Sequence, residues 1–228
     1  RSGKSVTMKA VMGIISNNQH IDHGSIHYSW WDENGQKQTA DIAKMCPRDV
    51  RSKICGRHIS MVFQDSMTSL NPTVTIGNQI IEGMLEHYKL TKEEAKARAI
   101  KLLEEVGIKN PEKRFKQYPH QLSGGMCQRV GIAIALACDP DILICDEPTT
   151  ALDVTIQLKI LNLIKKIQKE KQISVVYITH DLGVVAKVAD YVCVMYAGRI
   201  IEKGSVEEIF YDPRHPYTWG LLSSMPDL

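Results

Sequence analysis

The sequence "DILICDEPTTALD", at residues 141–153, joins a short apolar run to two adjacent carboxylates. A continuous run of this length is typical of a strand that is buried on both faces of a parallel sheet. Asp146 and Glu147 close the run, so we expect them at the carboxyl edge of the sheet, where α/β folds bind their ligands. Taken alone, the stretch could also be a solvated strand end followed by a proline turn.

A phosphate-binding motif at the start of the chain favours the first interpretation. Gly3-Lys4-Ser5 matches the end of the pattern G-x-x-x-x-G-K-[ST], and the residues through about Ile15 predict a helix. A helix N-terminus offers free backbone N–H groups and a positive dipole end to an anion. The tripeptide by itself is weak evidence, because motifs this short recur by chance. The first glycine of the pattern, and the strand before it, are expected upstream of Arg1.

Together the two motifs predict a nucleotide site. In a phosphate-loop site the loop serine ligates Mg²⁺ while a carboxylate orients the metal shell, and Ser5 and Asp146 fit these roles. Glu147 would lie next to the metal without ligating it, where it can act as a general base on a water molecule in line with the γ-phosphate. The prediction is a site that binds a nucleoside triphosphate with Mg²⁺ and hydrolyses it.

The pattern of apolar residues predicts an α/β core. Strands are indicated at "HISMVFQ" (58–64), "DILICD" (141–146), "ISVVYIT" (173–179), "YVCVMY" (191–196) and "RIIEKG" (199–204). A helix from Asp153 to about Lys169 has a buried stripe that consists of Ile156, Ile160, Leu163, Ile164 and Ile167. Apolar strands that alternate with amphipathic helices imply a parallel sheet covered on both faces.

Residues 24–43 predict an antiparallel hairpin, because apolar and polar side chains alternate around the turn sequence Asn34-Gly35. Of the adjacent Trp30 and Trp31, one is expected to pack on this small sheet and the other to lie at its surface. A small β subdomain beside the core is therefore expected.

Residues 67–138 predict a block made of helices. One of them begins at Thr91, where Glu94 completes a capping box, and ends at Gly107. Its apolar positions fall on one face, and they are Ala95, Ala99, Leu102, Leu103 and Val106. The predicted fold class is α/β, with a helical subdomain inserted into a nucleotide-binding core.

We expect three parts along the chain. Residues 1–66 would form the first part of the nucleotide-binding core together with the β subdomain. Residues 67–138 would form the helical subdomain, and residues 139–228 the second part of the core.

Composition and charge argue against several classes of protein. The chain has 43% hydrophobic and 24% charged residues, as ordinary globular domains do, and its net charge of +2 gives no electrostatic case for binding nucleic acid. Its six cysteines form no C-x-x-C pair, so neither a zinc site nor a disulfide framework is indicated and a reducing compartment is expected. The apolar runs are too short to cross a bilayer, and no signal-peptide pattern is visible.

A second glycine-rich stretch, "QLSGGMCQRV" at residues 121–130, opens a helix inside the helical block. Ser123 can cap that helix, and Gly124-Gly125 leave backbone amides open to an anion. By itself this is a good helix start with a flexible entry. In combination with Gly3-Lys4-Ser5 it indicates a second phosphate-binding helix terminus.

The order and spacing of six motifs resemble those of the ATP-binding subunits of ABC transporters, over almost the entire chain. The matching motifs are the end of Walker A (Gly3-Lys4-Ser5), the Q-loop (Gln64), the signature (Leu122–Gly125), Walker B (Asp146-Glu147), the D-loop (Ala151–Asp153) and the switch histidine (His180). The phrase "DPRHPYTWGLLSSMP" is similar to the oligopeptide/dipeptide importers of that family. Relative to such proteins, the chain is expected to be truncated at both ends.

The resemblance implies a P-loop NTPase core of the ABC type and a role for each matched residue. Glu147, His180 and Gln64 would take part in catalysis. ATP would be bound by Ser2, Gly3, Lys4, Ser5, Val6, Gln64, Ser123, Gly124, Gly125, Asp153 and His180. Mg²⁺ would be held by Ser5, Gln64 and Asp146.

The resemblance also implies partners and a place of action. Family members work as head-to-tail dimers, in which the Walker A of one subunit and the signature of the other enclose ATP. Closure and reopening of the dimer drive two membrane permease subunits, which receive their solute from an extracellular binding protein. The expected function is that of the ATP-binding and ATP-hydrolysing subunit of a peptide importer, at the cytoplasmic face of a bacterial membrane and with no nucleic-acid partner.

Other interpretations stay open. The same family includes importers of nickel or another small solute. A non-transport ABC ATPase that acts on DNA or ribosomes is a different class, although the sequence shows none of the zinc modules, coiled-coil insertions or second cassette of those relatives. An inactive regulatory module is a third, against which the intact Glu147 and His180 argue.

Overall fold

The computed structural model describes residues 3–15, 18–32, 34–149 and 153–224, with backbone alone at residues 66 and 67. Within these residues the strands are β1 (His27–Trp31), β2 (Lys37–Asp41), β3 (Ile59–Val62), β4 (Ile142–Asp146), β5 (Ser174–Ile178), β6 (Tyr191–Tyr196) and β7 (Arg199–Ser205). The α-helices there are α1 (Lys4–Val11), α2 (Pro47–Lys53), α3 (Ser66–Ser69), α4 (Ile76–His87), α5 (Lys92–Glu105), α6 (Pro111–Phe115), α7 (Gly124–Leu136), α8 (Val154–Lys171), α9 (Leu182–Val188), α10 (Val206–Tyr211) and α11 (Pro216–Ser223). Short 3-10 turns are found at Ile42–Lys44 and Pro119–Gln121.

A parallel sheet brings the ends of β3, β4 and β5 to one edge. β4 lies between the other two strands, and its Ile144 is opposite Met61 on β3 and Val176 on β5. β4 and β5 are joined through α8, because parallel neighbours require a crossover connection. Since the three strands run in the same direction, the residues that follow them meet at the carboxyl edge of the sheet.

β4 is buried on both faces of this sheet, as its apolar run predicted. Leu143 and Cys145 face a core shared with α4, α5, α7 and α8, whereas Ile144 faces a second core with α1 and α2. The first core contains residues of the helical block and of α8, so the two regions pack together across the boundary predicted at residue 138. The domain boundaries themselves remain a prediction.

The last two strands depart from the predicted parallel sheet. β6 and β7 pair with each other in antiparallel fashion. Ala197 and Gly198 connect them with φ angles of 46° and 80°, and such a two-residue turn joins antiparallel neighbours. One face of β5 is also less covered than expected, since Val176 is 37% exposed. The sequence pattern identified these strands but not their pairing.

α1 is shorter than the sequence predicts, since it ends at Val11 rather than near Ile15. The chain leaves the helix at Gly13, which has a φ of 62°, and the N–H of Ile14 donates to Lys9 O at 2.8 Å. Glycine is favoured at such a left-handed position directly after a helix. Gly13 therefore stops α1 although the residues beyond it are apolar.

The predicted hairpin of β1 and β2 is confirmed, with its two tryptophans in different surroundings. Trp30 packs against the second core and stacks on Tyr28, with ring centroids 5.6 Å apart. Trp31 is 70% exposed. Successive side chains of a strand point to opposite faces, so only one of the two can pack inward.

The helical block contains the predicted capping box and helix end. The N–H of Thr91 donates to Glu94 Oε2 at 2.7 Å, and the N–H of Glu94 donates to Thr91 Oγ1 at 3.2 Å. Gly107, with a φ of 76°, follows the end of α5, and the predicted apolar stripe of that helix is buried. The sequence pattern did not predict α3 and α6, because helices of four and five residues are too short to show a helical period.

Gly77→Ala is expected to destabilise the protein, and Gly83→Ala in the same helix is its matched control. A Cβ at Gly77 would lie 2.3 Å from the ring of Phe115, whereas the nearest atom to a Cβ at Gly83 would be Cys138 Sγ, at 3.5 Å. Overpacking of this kind costs about 1–3 kcal/mol, while alanine at Gly83 has the better helix propensity. Urea unfolding of both variants measures the difference, and equal free energies of unfolding would contradict the packing around Phe115.

All six cysteines carry free thiols, and Cys127, Cys138 and Cys145 are buried. Burial raises the pKa of the Cys145 thiol to about 12, so this thiol stays protonated at neutral pH. Among the described residues, none of the helices combines the length and the apolar character needed to cross a membrane.

Candidate functional site

A hydrogen bond between Ser5 and Asp146 joins two of the motifs that the sequence singled out. Ser5 lies in the first turn of α1, and its Oγ donates to Asp146 Oδ1 at 2.8 Å. Asp146 ends β4 and is only 4% exposed. Burial of a carboxylate costs free energy unless it is hydrogen-bonded, so the serine hydroxyl offsets part of that cost. The two residues are 141 positions apart, and the packing of α1 on the sheet brings them together.

Gly3 directs the chain into α1. Its φ of 91° is a conformation that favours glycine, and a Cβ there would lie 3.4 Å from Gly198 Cα. Within the described residues, the first turn of α1 contains no acidic side chain that could accept hydrogen bonds from the N–H groups of that turn. Val6 is 58% exposed beside it. Ser2, which we also expected to bind phosphate, lies outside the described residues.

Glu147 has a hydrogen-bond partner at each carboxylate oxygen. Gln64 Nε2 donates to its Oε2 at 3.1 Å, and His180 Nδ1 lies 3.1 Å from its Oε1. With the carboxylate ionised, the imidazole nitrogen must be the donor. Gln64, Glu147 and His180 follow β3, β4 and β5 respectively, so the carboxyl edge of the sheet brings all three predicted catalytic residues into contact.

The backbone of Glu147 adopts a left-handed conformation, with a φ of 46°. This region costs a residue other than glycine roughly 1–2 kcal/mol. The N–H of Glu147 donates to Ile178 O at 2.8 Å, which holds the residue at the end of the β4–β5 ladder. The carboxylate therefore reaches Gln64 and His180 from a strained backbone, as is common at functional sites.

Lys4 contacts a group that the sequence analysis did not identify. Its Nζ donates to Thr179 O at 3.0 Å. Thr179 lies between β5 and His180, and its Oγ1 accepts from the N–H of Asp181 at 3.0 Å. A backbone carbonyl has no sequence signature, so only its position directly before His180 could have indicated it. The lysine of the phosphate loop is thus linked to the segment that carries the histidine.

Ser123 occupies the N-cap position of α7, as predicted, but the structure corrects its predicted contact. Within the described residues its side chain makes no capping hydrogen bond. Ser123 and Gly124 are exposed, whereas Gly125 is partly buried beside Ile156 of α8. Water can satisfy the free backbone N–H groups at a helix start, so α7 does not require the Ser123 hydroxyl as a cap.

Asp153 is the N-cap of α8 and uses its side chain to cap the helix. Its Oδ1 accepts from the N–H of Ile156 at 2.9 Å. Ala151 and Leu152, the other residues of the predicted D-loop, lie outside the described residues. The structure therefore shows a local structural role for Asp153, and its contact with nucleotide remains a prediction.

The carboxyl edge of the sheet offers the donors that Mg²⁺ prefers. The Asp146 carboxylate, the Ser5 hydroxyl and the Gln64 amide all carry oxygen atoms, and Mg²⁺ binds oxygen ligands while it keeps waters and substrate phosphates. The described residues contain no group of three or more His, Cys, Asp or Glu side chains that could hold a metal by itself. Such a donor set fits an ion that is shared between protein and nucleotide.

Comparison with known proteins identifies the family of this chain. Residues 2–150 match the family model described as ABC transporter. The chain belongs to the ABC transporter family. The match includes the Walker A end, Gln64, the signature and the Walker B pair. Residues 201–228 match a second model, the oligopeptide/dipeptide transporter C-terminal region.

Relatives in the ABC transporter family are similar over essentially the whole chain. The oligopeptide transport ATP-binding protein OppD of Bacillus subtilis (strain 168) is 55% identical over 228 residues, which are 100% of this chain and 61% of OppD. AmiE, of the same description, from Streptococcus pneumoniae (strain TIGR4) is 54% identical, over 100% of this chain and 61% of AmiE. The dipeptide transport ATP-binding protein DppD of Bacillus subtilis is 51% identical, over 99% of this chain and 65% of DppD. The chain thus spans less than two thirds of the length of these relatives.

Solved structures of ABC cassettes have the same fold. The cassette MJ0796, in a dimeric post-hydrolysis state bound to ADP and Pi, superposes with a TM-score of 0.72 and 26% identity, covering 90% of this chain and 81% of that cassette. CbiO1 from Clostridium perfringens, part of the ABC transporter complex cbiONQ, has a TM-score of 0.68 and 27% identity, covering 92% of this chain and 76% of cbiO1. The predicted family and the predicted ABC ATPase fold are confirmed.

Proposed function

We propose that this chain is the ATP-binding and ATP-hydrolysing part of an importer for peptides. The observation that carries the proposal is the contact of Glu147 with Gln64 and His180 beside the Ser5–Asp146 pair. The names of OppD and DppD, and the match of residues 201–228 to a peptide-transporter model, support peptides as the solute.

Lys4 and the N–H groups at the start of α1 bind the phosphates of ATP. The Lys4 ammonium now donates to the neutral carbonyl of Thr179, and an anionic phosphate oxygen is a stronger partner for it. Ser5, Asp146 and Gln64 would hold Mg²⁺, which would supply positive charge to the phosphate oxygens of ATP. The nucleotide site therefore consists of the carboxyl edge of the sheet and the first turn of α1.

Glu147 accepts a proton from the attacking water. As the water oxygen bonds to the γ-phosphorus, the bond to the β-phosphate oxygen breaks, and ADP and inorganic phosphate are the products. Gln64 and His180 each hold one oxygen of the Glu147 carboxylate and so orient it toward the water. The proton returns to solvent when the products leave.

A second ATPase subunit completes each site. Ser123, Gly124 and Asp153 are exposed at the starts of α7 and α8, where they can meet the nucleotide held by a partner. The dimeric state of MJ0796 supports this arrangement. ATP then closes the dimer and hydrolysis reopens it, and this motion drives two permease subunits at the cytoplasmic face of a bacterial membrane, to which an extracellular binding protein delivers peptide.

Uptake into liposomes tests the proposal. The full-length protein is reconstituted with its permease subunits and binding protein, and labelled oligopeptide and Ni²⁺ are offered as alternative solutes with ATP on the cytoplasmic side. We expect ATP-dependent accumulation of peptide but not of Ni²⁺. Ser123→Arg should abolish uptake without loss of folding, because Ser123 is exposed and makes no capping bond, whereas Ser52→Arg on the exposed face of α2 should not. Uptake of Ni²⁺ but not of peptide would refute the peptide substrate. Peptide uptake at the same rate with and without ATP would refute the ATPase role.

A further inference from the structure

The two glycines of the signature have different surroundings. A Cβ at Gly124 would meet no described atom within 4 Å. A Cβ at Gly125 would lie 3.1 Å from Ile156 Cγ2 and 3.5 Å from its Cδ1. Gly125 also lies in the helical part of α7 and is not among the residues with a positive φ. Space, and not backbone conformation, is therefore what restricts a side chain at Gly125, because Ile156 would have to shift by a few tenths of an ångström.

Ile156 is held in place from two sides. Its N–H donates to Asp153 Oδ1 at 2.9 Å, which anchors it to the N-cap of α8. Its side chain is partly buried and packs against the core that contains α7, with Cys127 and Val130 among the fully buried members. Ile156 is therefore hydrogen-bonded to the D-loop aspartate, and its side chain occupies the space into which a Cβ at the second signature glycine would point.

We propose that Ile156 is a positioning residue that sets the start of α7 against the start of α8. Its side chain fills the space that Gly125 leaves open, so Ser123–Gly125 and Asp153 are presented to a second subunit as one rigid surface. The inference rests on the proposed function in one respect, since that surface must meet the nucleotide of a partner. The contact itself is independent of any ligand.

Close packing makes this contact sensitive to a single methyl group. Side chains in protein interiors interdigitate with little free space, so an extra methyl at Gly125 must displace Ile156 or the start of α7. A misplacement of about 1 Å in a catalytic arrangement can lower a rate about 100-fold, and we expect a smaller shift to lower it less. The same methyl at Gly124 points into open space and displaces nothing.

The test compares Gly125→Ala with Gly83→Ala in the full-length protein. Gly125→Ala is expected to lower kcat for ATP hydrolysis by about tenfold and to change the KM for ATP by less than about twofold, because ATP is held mainly by the Lys4 side of its own subunit. We expect its Tm to fall by about 5 °C. Gly83→Ala, in α4 outside the nucleotide site, places its Cβ 3.5 Å from Cys138 Sγ and should change kcat little without lowering Tm.

Rescue distinguishes steric positioning from direct contact with nucleotide. Ile156→Ala removes the atoms that the new methyl would meet, so in its background Gly125→Ala should cost little further activity. The double variant Gly125→Ala/Ile156→Ala should have a kcat within about threefold of that of Ile156→Ala alone. Leu158→Ala, at a 40% exposed position of the same helix, is the control for loss of an apolar side chain and should leave kcat unchanged.

The outcomes separate this inference from the proposed function. Equal kcat and Tm for the two alanine variants, or a kcat loss in Gly125→Ala that Ile156→Ala does not relieve, would overturn the positioning role. If the unmutated protein hydrolyses no ATP, the proposed function fails and the Tm series alone decides the contact. A loss of Tm in Gly125→Ala that Ile156→Ala relieves would then support the packing. No loss of Tm, or a loss that Ile156→Ala does not relieve, would refute it.

Discussion

Glu147→Gln is expected to lower the rate of ATP hydrolysis by about 100-fold or more, while ATP still binds. Glutamine has the same shape, and its amide can still meet the side chains of Gln64 and His180. It cannot accept a proton from the attacking water, however. The ATP-bound state should therefore accumulate, and the protein should remain in its closed dimer.

Light scattering and phosphate release measure the two halves of this expectation. With Mg-ATP, Glu147→Gln should shift to the mass of a dimer, and adding Ser123→Arg should abolish the shift. Glu104→Gln, an exposed position on α5, is the charge-matched control and should hydrolyse ATP at the unmutated rate. Phosphate release within about threefold of the unmutated rate would show that Glu147 is not the general base.

Asp146→Asn is expected to raise the Mg²⁺ concentration needed for half-maximal ATP binding by about 10- to 100-fold. Asparagine can still accept the hydrogen bond from Ser5 Oγ through its own Oδ1, so the contact at the end of β4 persists. The negative charge that would face the cation is lost. Because Asp146 is only 4% exposed, a neutral group there also costs less to bury, and the folded chain should not be destabilised.

Calorimetric titration of ATP at several Mg²⁺ concentrations measures this effect. Asp141→Asn is the control, since it removes the same charge at the other end of β4 and keeps an oxygen acceptor for Tyr28 and His58. We expect its Mg²⁺ dependence to match that of the unmutated protein. An unchanged Mg²⁺ dependence in Asp146→Asn would place the metal away from Ser5 and Asp146.

Part of the candidate site was predictable from the position of its residues at a strand end. Asp146 and Glu147 close an apolar run and were expected at the carboxyl edge of a parallel sheet, whereas Gln64 and His180 were identified only through the resemblance to ABC transporter subunits. The structure also shows a backbone conformation and a hydrogen bond that no sequence motif indicates. Glu147 reaches its partners from a left-handed backbone, and Lys4 is bound to the carbonyl of Thr179.

Local signals in the sequence determined the elements of this protein, and tertiary structure determined how they meet. The capping box at Thr91 and the buried stripe of α5 follow from spacing alone, because their partners are three or four residues away. The hydrogen bond from Lys4 to Thr179 O and the packing of Ile156 beside Gly125 involve residues that are far apart in the chain. Periodicity shows which side chains a helix or strand buries but not which neighbour fills the gap, since that depends on shapes far apart in the chain.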